Sequence, residues 1–221
     1  MAGKMPKARK TFYTVVVKRI LDIFFSGFAI IMLSPLLLLL TVLELIYHGR
    51  PVLFAQERPG LHGKIFKLYK FRSMTNEKDD QGNLLPEEKR TTKFGMFIRR
   101  LSLDELPELF CILTGKMSII GPRPLVPQYM NRYSKRHLGR YRVKPGLECP
   151  PRDFRKPLRT WNDQFENDIW YIENCSFLVD VKMLFAVLRE AVAGAEYRVS
   201  GDREEFIGTN LYSDAKAGKS K

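Results

Sequence analysis

The hydrophobic pattern of the chain is dominated by one segment, residues 20–47, which contains two charged side chains, Asp22 and Glu44. Its roughly 28 residues exceed the approximately 20 that an α-helix needs to span the hydrocarbon core of a membrane. Ser34-Pro35 lies in the middle of the segment. Because proline removes a helix hydrogen bond and clashes with the preceding turn, we expect a kink there, with the Ser34 hydroxyl bonding a freed carbonyl.

Basic residues flank this segment on both sides, which leaves two membrane arrangements open. Positive charge favours the cytoplasmic side, so two basic flanks favour a re-entrant helix that enters and leaves the same face. A tilted, proline-kinked transmembrane helix is the alternative. Asp22 and Glu44 would both lie near the headgroups in the re-entrant form. The basic residues are Lys4, Lys7, Arg9, Lys10, Lys18 and Arg19 before the segment and Arg50, Arg58, Lys64, Lys67, Lys70 and Arg72 after it.

Shorter patterns downstream predict a small domain of the α+β class. Residues 52–54 and the alternating stretch 64–71 are typical of strands, with a turn at 58–60 between them. Helical periodicity covers residues 94–113 and returns from about 177 to 193. The apolar stripe of the last helix comprises Leu178, Val181, Leu184, Phe185, Leu188 and Val192.

Two polar stretches have more than one interpretation. Residues 75–92 form a long surface loop that is either simply solvated or a lid. Residues 124–142 have the pattern of a basic amphipathic helix, which fits a membrane interface or packing on a core equally well. The predicted organisation is a basic N-terminal tail (1–17), a re-entrant membrane helix (18–48), a cytoplasmic domain (49–200), and a C-terminal extension and tail (201–221).

Composition narrows the classes of partner. The chain has 221 residues and a net charge of +13, which attracts anionic lipid headgroups, nucleic acid or phosphorylated metabolites. No nucleic-acid-binding motif is recognisable, and the membrane segment argues against nucleic acid. Cys111, Cys149 and Cys175 form no CxxC pair, so we expect neither a zinc site nor disulfides, as in a reducing compartment. The three histidines are isolated, which argues against a histidine-based site.

The candidate chemistry centres on the adjacent carboxylates Asp104 and Glu105, which must face water, a cation or a substrate because burying two like charges is costly. One interpretation is local: Ser102 and Glu105 have the spacing of a helix capping box. A helix that begins near Pro107 accommodates the proline better and places both carboxylates at its start. There an ionised Asp can attack phosphorus while Glu holds a divalent cation.

Three basic residues are candidates for phosphate contacts. Arg123 lies in Gly121-Pro122-Arg123-Pro124, a rigid turn that presents one guanidinium, and arginine suits bidentate phosphate binding. Lys70 and Arg72 follow the predicted strand. An ordinary turn with surface salt bridges explains the same residues without a ligand.

The motifs in their order resemble the bacterial sugar transferase family, the monotopic phosphoglycosyl transferases. The resemblance is continuous from about Lys18 to Gly146 and looser to Leu184. No single motif carries it, but the ordered set does. The matching segments are Lys18-Arg19-x-x-Asp22, the helix broken at Ser34-Pro35, Pro51-Val52-Leu53-Phe54-x-Gln56-Glu57-Arg58-x-Gly60, Lys67-x-Tyr69-Lys70-Phe71-Arg72-Ser73-Met74, Leu103-Asp104-Glu105-Leu106-Pro107-Glu108-Leu109, Gly115-Lys116-Met117-Ser118-Ile119-Ile120-Gly121-Pro122-Arg123-Pro124 and Lys144-Pro145-Gly146.

The resemblance implies a reaction, site roles and a location. Such enzymes transfer a sugar-1-phosphate from a UDP-sugar to polyprenyl (undecaprenyl) phosphate, releasing UMP and initiating glycan assembly. Asp104 would be the nucleophile that forms a covalent phosphosugar intermediate, and Glu105 would help to bind Mg²⁺. Lys70, Arg72 and Arg123 would contact phosphates. The helix broken at Ser34-Pro35 would hold the catalytic domain at the cytoplasmic face of the bacterial inner membrane, among its lipids, where downstream glycosyltransferases are candidate partners.

The chain also departs from the family pattern. Residues 147–154 differ from the segment that many members carry after Lys-Pro-Gly, so the resemblance does not identify the sugar of the donor. Cys175 replaces a frequent tryptophan, and the extra membrane domain of longer members has no counterpart, as in the minimal catalytic form. Two other hypotheses compete: a non-enzymatic membrane protein that gathers anionic lipid or a partner, and a nucleic-acid binder. Asp104→Asn and Glu105→Gln substitutions that have no effect would favour the non-enzymatic membrane protein.

Overall fold

The computed structural model describes residues 5–153, 158, 160–193, 206 and 208. The described part combines helices with two two-stranded sheets, which agrees with the predicted α+β class. In one sheet β1 pairs with β2; in the other β3 and β4 are parallel, with Ser118 opposite Gly146. The strands are β1 Leu53–Pro59, β2 Ile65–Phe71, β3 Ser118–Ile120 and β4 Gly146–Glu148; the α-helices are α1 Lys18–Met32, α2 Ser34–Tyr47, α3 Glu87–Arg90, α4 Lys93–Arg100, α5 Glu108–Leu113, α6 Trp161–Asn174 and α7 Phe177–Ala193.

The chain folds as two compact units, each with its own core. Unit 1 comprises Met1–Asp22, Glu57–Phe66 and Gly115–Lys221. Unit 2 comprises Ile23–Gln56 and Lys67–Thr114. The predicted boundaries at 17/18 and 48/49 do not coincide with this division, because the first residues of α1 pack within unit 1.

The predicted kink lies between α1 and α2, whose axes are bent by 62°. Pro35 has no N–H to donate to the carbonyl of Ile31 four residues earlier, and the Ser34 hydroxyl donates to that oxygen at 2.7 Å instead. Ser34 therefore satisfies the carbonyl that Pro35 leaves open. Within the described residues no single helix is long and apolar enough to cross a membrane, whereas Tyr13–Met32 and Ser34–Tyr47 reach the required length and composition together.

The first residues do not form the free basic tail that their composition predicts. Pro6 is buried, and the backbone N–H of Arg9 donates to the carbonyl of Ile172 at 3.0 Å. Residues Tyr13–Val17 form one π-helical turn that continues into α1. Gly139 permits the close approach of this segment, because a Cβ there would lie 2.1 Å from the Pro6 ring. The tail interpretation is therefore wrong for residues 5–17.

The predicted amphipathic helix over 124–142 is absent. The segment forms two 3₁₀ stretches, Pro127–Arg132 and His137–Arg142, separated by extended backbone at Tyr133, whose ring enters the core. Arg140 is buried beside Asp168, with Nη2 3.0 Å from a carboxylate oxygen. Of the two interpretations, packing on a core holds for this segment, because its side chains find carboxylate and aromatic partners inside unit 1.

A tight aromatic cluster closes this side of unit 1. Phe165 and Phe206 are fully buried and their ring centroids lie 5.1 Å apart. The carbonyl of Phe206 accepts from Arg132 at 2.6 Å. The predicted extension and tail, 201–221, otherwise lie outside the described residues.

Helix α7 has the predicted bounds, and the side that packs on unit 1 differs from its apolar stripe. Val179, Met183 and Val187 face the core of unit 1. Leu178 and Phe185, from the predicted apolar stripe, are 76% and 68% exposed. The stripe was identified from hydrophobicity alone, and the side of the helix that unit 1 covers is a different one.

Residues 75–92 are more ordered than a plain loop. Isolated bridges join Met74 to Thr91 and Lys78 to Leu84 in antiparallel fashion, and α3 follows the second bridge. Most side chains between them are exposed, in agreement with the solvated interpretation. Whether the segment acts as a lid stays an open prediction.

We predict that Arg140→Met destabilises the protein by about 3–5 kcal/mol, because it leaves the buried Asp168 carboxylate without its cation. Burial raises the pKa of Asp168 to about 6 despite Arg140. A raised carboxyl pKa means that this group favours folding at low pH and loses that contribution as pH rises through 6. The loss in Arg140→Met should therefore be larger at pH 8 than at pH 5, as measured by thermal unfolding in detergent.

Arg136→Met is the matched control, since Arg136 contacts Glu166 at 2.9 Å with both side chains about one-third exposed. Its cost should stay below about 1 kcal/mol. Equal losses in the two variants would contradict the assigned role of the Arg140–Asp168 pair.

Candidate active site

The acidic pair lies on a tight turn in unit 2. Ser102 has a left-handed backbone (φ 55°), and Leu103–Glu105 form a single 3₁₀ turn. Ser102 makes no capping bond, so the capping-box interpretation is wrong; α5 begins directly after Pro107, as the alternative predicted. The predicted helix over 94–113 is consequently split into α4, this turn and α5.

The leucines around the pair explain its orientation. Leu103 and Leu106 pack against the unit 2 core formed by Leu40, Phe71 and Ile98. With those two side chains held inside, the intervening carboxylates are left on the outer side of the turn. Asp104 and Glu105 are accordingly both half-buried rather than enclosed.

Lys70 is the cation of this site. Its Nζ lies 2.6 Å from a Glu105 oxygen and 3.2 Å from a Glu108 oxygen. Strand β2 presents Lys70 toward the turn while its neighbour Phe71 enters the core. Lys70 was predicted to contact phosphate. Its partners here are carboxylates, and a phosphate contact stays a prediction.

The electrostatics of Asp104 differ from a simple ionised carboxylate. Burial and, secondarily, the adjacent Glu105 raise the pKa of Asp104 above its ordinary value, while Lys70 and Arg99 partly offset that rise. The two carboxylates thus repel each other in a partly desolvated place. A substrate or ion that brings positive charge would relieve the repulsion.

The residues present can accommodate Mg²⁺. Within the described part of the chain no three His, Cys, Asp or Glu side chains converge as a metal cage. Mg²⁺ does not require one, because it is commonly held by one or two carboxylates together with substrate phosphates and water. Asp104 and Glu105 supply that number of carboxylates, and their mutual repulsion favours a cation.

Arg72 does not take the predicted position. Its guanidinium is buried and donates to the carbonyls of His48 (3.0 Å) and Pro51 (3.2 Å). These bonds tie the end of α2 to β2, so Arg72 is a structural residue of unit 2. A contact of Arg72 with phosphate stays a prediction.

Arg123 belongs to unit 1. Its Nη1 donates to the carbonyl of Leu147 at 2.9 Å and lies 3.4 Å from a Glu148 oxygen. The guanidinium side chain is one-third exposed. The turn interpretation with a salt bridge describes its surroundings, and a role in phosphate contact stays a prediction.

Glu108 and Arg99 were not among the predicted site residues. Glu108 is buried and shares Lys70 with Glu105. A signal for it existed, because residues three apart in a helical turn share a side, and Glu105 and Glu108 have that spacing. No pattern identified Arg99, whose effect on Asp104 depends on how the turn after α4 is folded.

Comparisons with known proteins identify the family of this chain. A family model described as bacterial sugar transferase matches residues 13–194. A sugar transferase of Bacillus subtilis called EpsL is 42% identical over 197 residues, covering 88% of this chain and 98% of that protein. The chain therefore belongs to the bacterial sugar transferase family, and its class is that of the phosphoglycosyl transferase enzymes.

Two longer relatives have names that state their substrates. A UDP-glucose:undecaprenyl-phosphate glucose-1-phosphate transferase of Xanthomonas campestris pv. campestris is 38% identical over 184 residues. A UDP-N-acetylgalactosamine-undecaprenyl-phosphate N-acetylgalactosaminephosphotransferase of Aeromonas hydrophila is 33% identical over 186 residues. The matches cover 78% and 80% of this chain but 38% and 44% of those proteins. Their sugars differ, so similarity at this level does not determine the donor.

We predict that Lys70→Met raises the pKa of Asp104 further, because it removes a charge that favours the ionised form. The acid limb of the pH–activity profile should therefore move to higher pH, and the thermal midpoint should fall as Glu105 and Glu108 lose their shared cation. Lys67→Met is the matched control: this exposed residue lies on the same strand. An unmoved acid limb in Lys70→Met would contradict the assigned electrostatics.

Proposed function

We propose that this protein transfers a sugar-1-phosphate from a UDP-sugar to polyprenyl (undecaprenyl) phosphate, giving polyprenyl-diphosphate sugar and UMP. The single observation that carries the proposal is the half-buried acidic pair at Asp104 and Glu105, balanced by Lys70 in a chain of this family. The named relatives act on the same two classes of substrate. The product would begin the assembly of a capsule, O-antigen, exopolysaccharide or glycoprotein glycan.

The proposed chemistry uses Asp104 as nucleophile. Its carboxylate oxygen attacks the phosphorus that bears the sugar, and the bond from that phosphorus to the UMP oxygen breaks. A phosphate oxygen of the polyprenyl phosphate then attacks the same phosphorus and releases Asp104. Mg²⁺, which Glu105 would help to hold, would neutralise diphosphate charge.

The raised pKa of Asp104 fits a nucleophile that must give up its hydration. Water stabilises a fully solvated carboxylate and makes it a weaker nucleophile. A partly buried carboxylate has lost part of that stabilisation. The positive charge of Lys70 reduces the repulsion between the Asp104 and Glu105 carboxylates. Lys70 pairs with the glutamates, and Asp104 forms no salt bridge with any residue in the described part of the chain.

We also propose that the bent helix pair is re-entrant and places the enzyme at the cytoplasmic face of the inner membrane. The 62° bend supports a hairpin-like path. Large apolar side chains along both arms are exposed, among them Phe24 (62%), Ile31 (72%), Leu38 (66%) and Ile46 (70%). Such a surface is costly in water and suits lipid.

We predict that Asp104→Asn abolishes UMP release while the thermal midpoint rises, because the substitution removes a carboxylate whose folded-state pKa is raised. Purified protein in detergent with Mg²⁺, undecaprenyl phosphate and a panel of UDP-sugars provides the assay. With UDP-sugar alone, intact mass should show a phosphosugar adduct on the wild type and none on Asp104→Asn.

Asp80→Asn, at an exposed position, is the control and should retain turnover. Turnover that survives in Asp104→Asn would rule out the nucleophile. If neither Asp104→Asn nor Glu105→Gln changed any measured property of the protein, the hypothesis of a non-enzymatic membrane protein would replace the present one.

We predict that both flanks of the helix pair face the same side of the membrane. Lys7→Cys and Arg50→Cys, both at exposed positions, should react with a membrane-impermeant maleimide only in inside-out vesicles. The parent chain is the control, because its three cysteines are free but buried. Labelling of the two positions from opposite sides would establish the tilted transmembrane alternative instead.

A further inference from the structure

Unit 1 contains a second, strongly basic site. An open groove of about 270 Å³ lies along the N-terminal segment and the start of α1. A groove of this volume holds several water molecules and has room for a phosphate with part of a headgroup. Six cationic side chains line it: Arg9, Lys10, Lys18, Arg19, Arg142 and Lys144.

The acidic groups near the groove are already engaged. Asp180 lies 2.6 Å from Lys18 and also accepts from the Tyr171 hydroxyl at 2.7 Å. Asp22 accepts from the Ser118 hydroxyl and the backbone N–H of Ile119, each at 3.0 Å. Asp22 is the only carboxylate among the groove's described lining residues, so the six cations leave the groove with an excess of positive charge.

Three of the cations form no salt bridge in the part of the chain that the structure describes. Lys10 and Arg142 are exposed, and Lys144 is half-buried. The Arg142 guanidinium contacts the Met5 sulfur at 3.1 Å. None of the three forms a salt bridge with a described residue.

Two cations are held close together at the wall of the groove. A Cβ on Gly115 would lie 3.0 Å from Arg19 Nη2 and 3.5 Å from Lys144 Nζ, so both groups occupy the space beside that glycine. Burial and the nearby Arg19 lower the pKa of Lys144. Clustered like charges of this kind are stabilised by a bound anion.

The position of the groove indicates where the anion comes from. The segment that forms it leads directly into the apolar helix pair, and Val15, Leu61 and Val143 add an apolar lining. Val15 is 63% exposed, and Phe12, in the same N-terminal segment, is 75% exposed. Basic residues next to a membrane segment attract anionic headgroups.

We propose that this groove binds the phosphate group of an anionic membrane phospholipid. The cations would hold the phosphate while the apolar lining and Phe12 contact the glycerol and acyl region. The inference rests on the membrane placement proposed above, but not on the reaction at Asp104, whose residues belong to unit 2. Such a lipid would fix the start of α1 at the headgroup level.

The test is a lipid titration of the full chain in non-ionic detergent, with bound lipid counted by native mass spectrometry. Dioleoyl-phosphatidylglycerol should bind as one tightly retained equivalent, and dioleoyl-phosphatidylcholine, whose choline is repelled by the groove, should bind at least tenfold more weakly. Lys10→Gln/Arg142→Gln should weaken phosphatidylglycerol binding by about tenfold or more. Lys144→Gln should weaken it independently.

Lys116→Gln/Lys135→Gln is the matched control, since both residues are exposed, belong to unit 1 and lie outside the groove. Equal weakening in the two double variants would overturn the proposal in favour of general charge attraction. Displacement by equimolar inorganic phosphate would identify a soluble-anion site instead, and retention of polyprenyl phosphate alone would identify a substrate site. Asp104→Asn should bind phosphatidylglycerol like the wild type, so failure of the lipid site and failure of the reaction give different results.

Discussion

The acidic turn of unit 2 brings three carboxylates close together, and the charge of one lysine makes this arrangement possible. Asp104, Glu105 and Glu108 would repel one another strongly in a half-buried place, and Lys70 lies within 2.6 and 3.2 Å of the two glutamates. The hydrophobic core makes this possible, since Leu103 and Leu106 hold the turn against it. Strand β2 contributes in the same way, with Phe71 inside and Lys70 at the carboxylates. Loss of either anchor would separate the charges that offset each other.

The same turn shows how reactivity and stability oppose each other. Ser102 has a left-handed backbone, which is unfavourable for a residue with a side chain and is often found near functional sites. Asp104 has a raised pKa because burial and Glu105 disfavour its charge. Neither feature helps the fold at neutral pH. Both are consistent with a site in which charge compensation comes from bound ligands.

The basic residues that give the chain its net charge of +13 have several different surroundings. Arg140 is buried against Asp168, and Arg72 is satisfied by backbone carbonyls. Lys70 is paired with carboxylates, whereas Lys10 and Lys144 line an open groove. Basic residues of identical type thus serve packing, the acidic site or an anion site, and only their contacts distinguish these uses.

Features that depend on neighbouring residues were predictable from the chain itself. The break at Ser34-Pro35, the start of α5 after Pro107 and the bounds of α7 follow from missing donors, proline geometry and hydrophobic spacing. The acidic pair could be recognised from the sequence because its two carboxylates belong to adjacent residues. Features that depend on distant partners were not: the burial of Arg72, the inward turn of 127–142 and the side of α7 that is covered. Periodicity along a chain shows that a helix has two sides, but the partner that covers one of them, or neutralises a charge, comes from elsewhere in the sequence and is decided by tertiary packing.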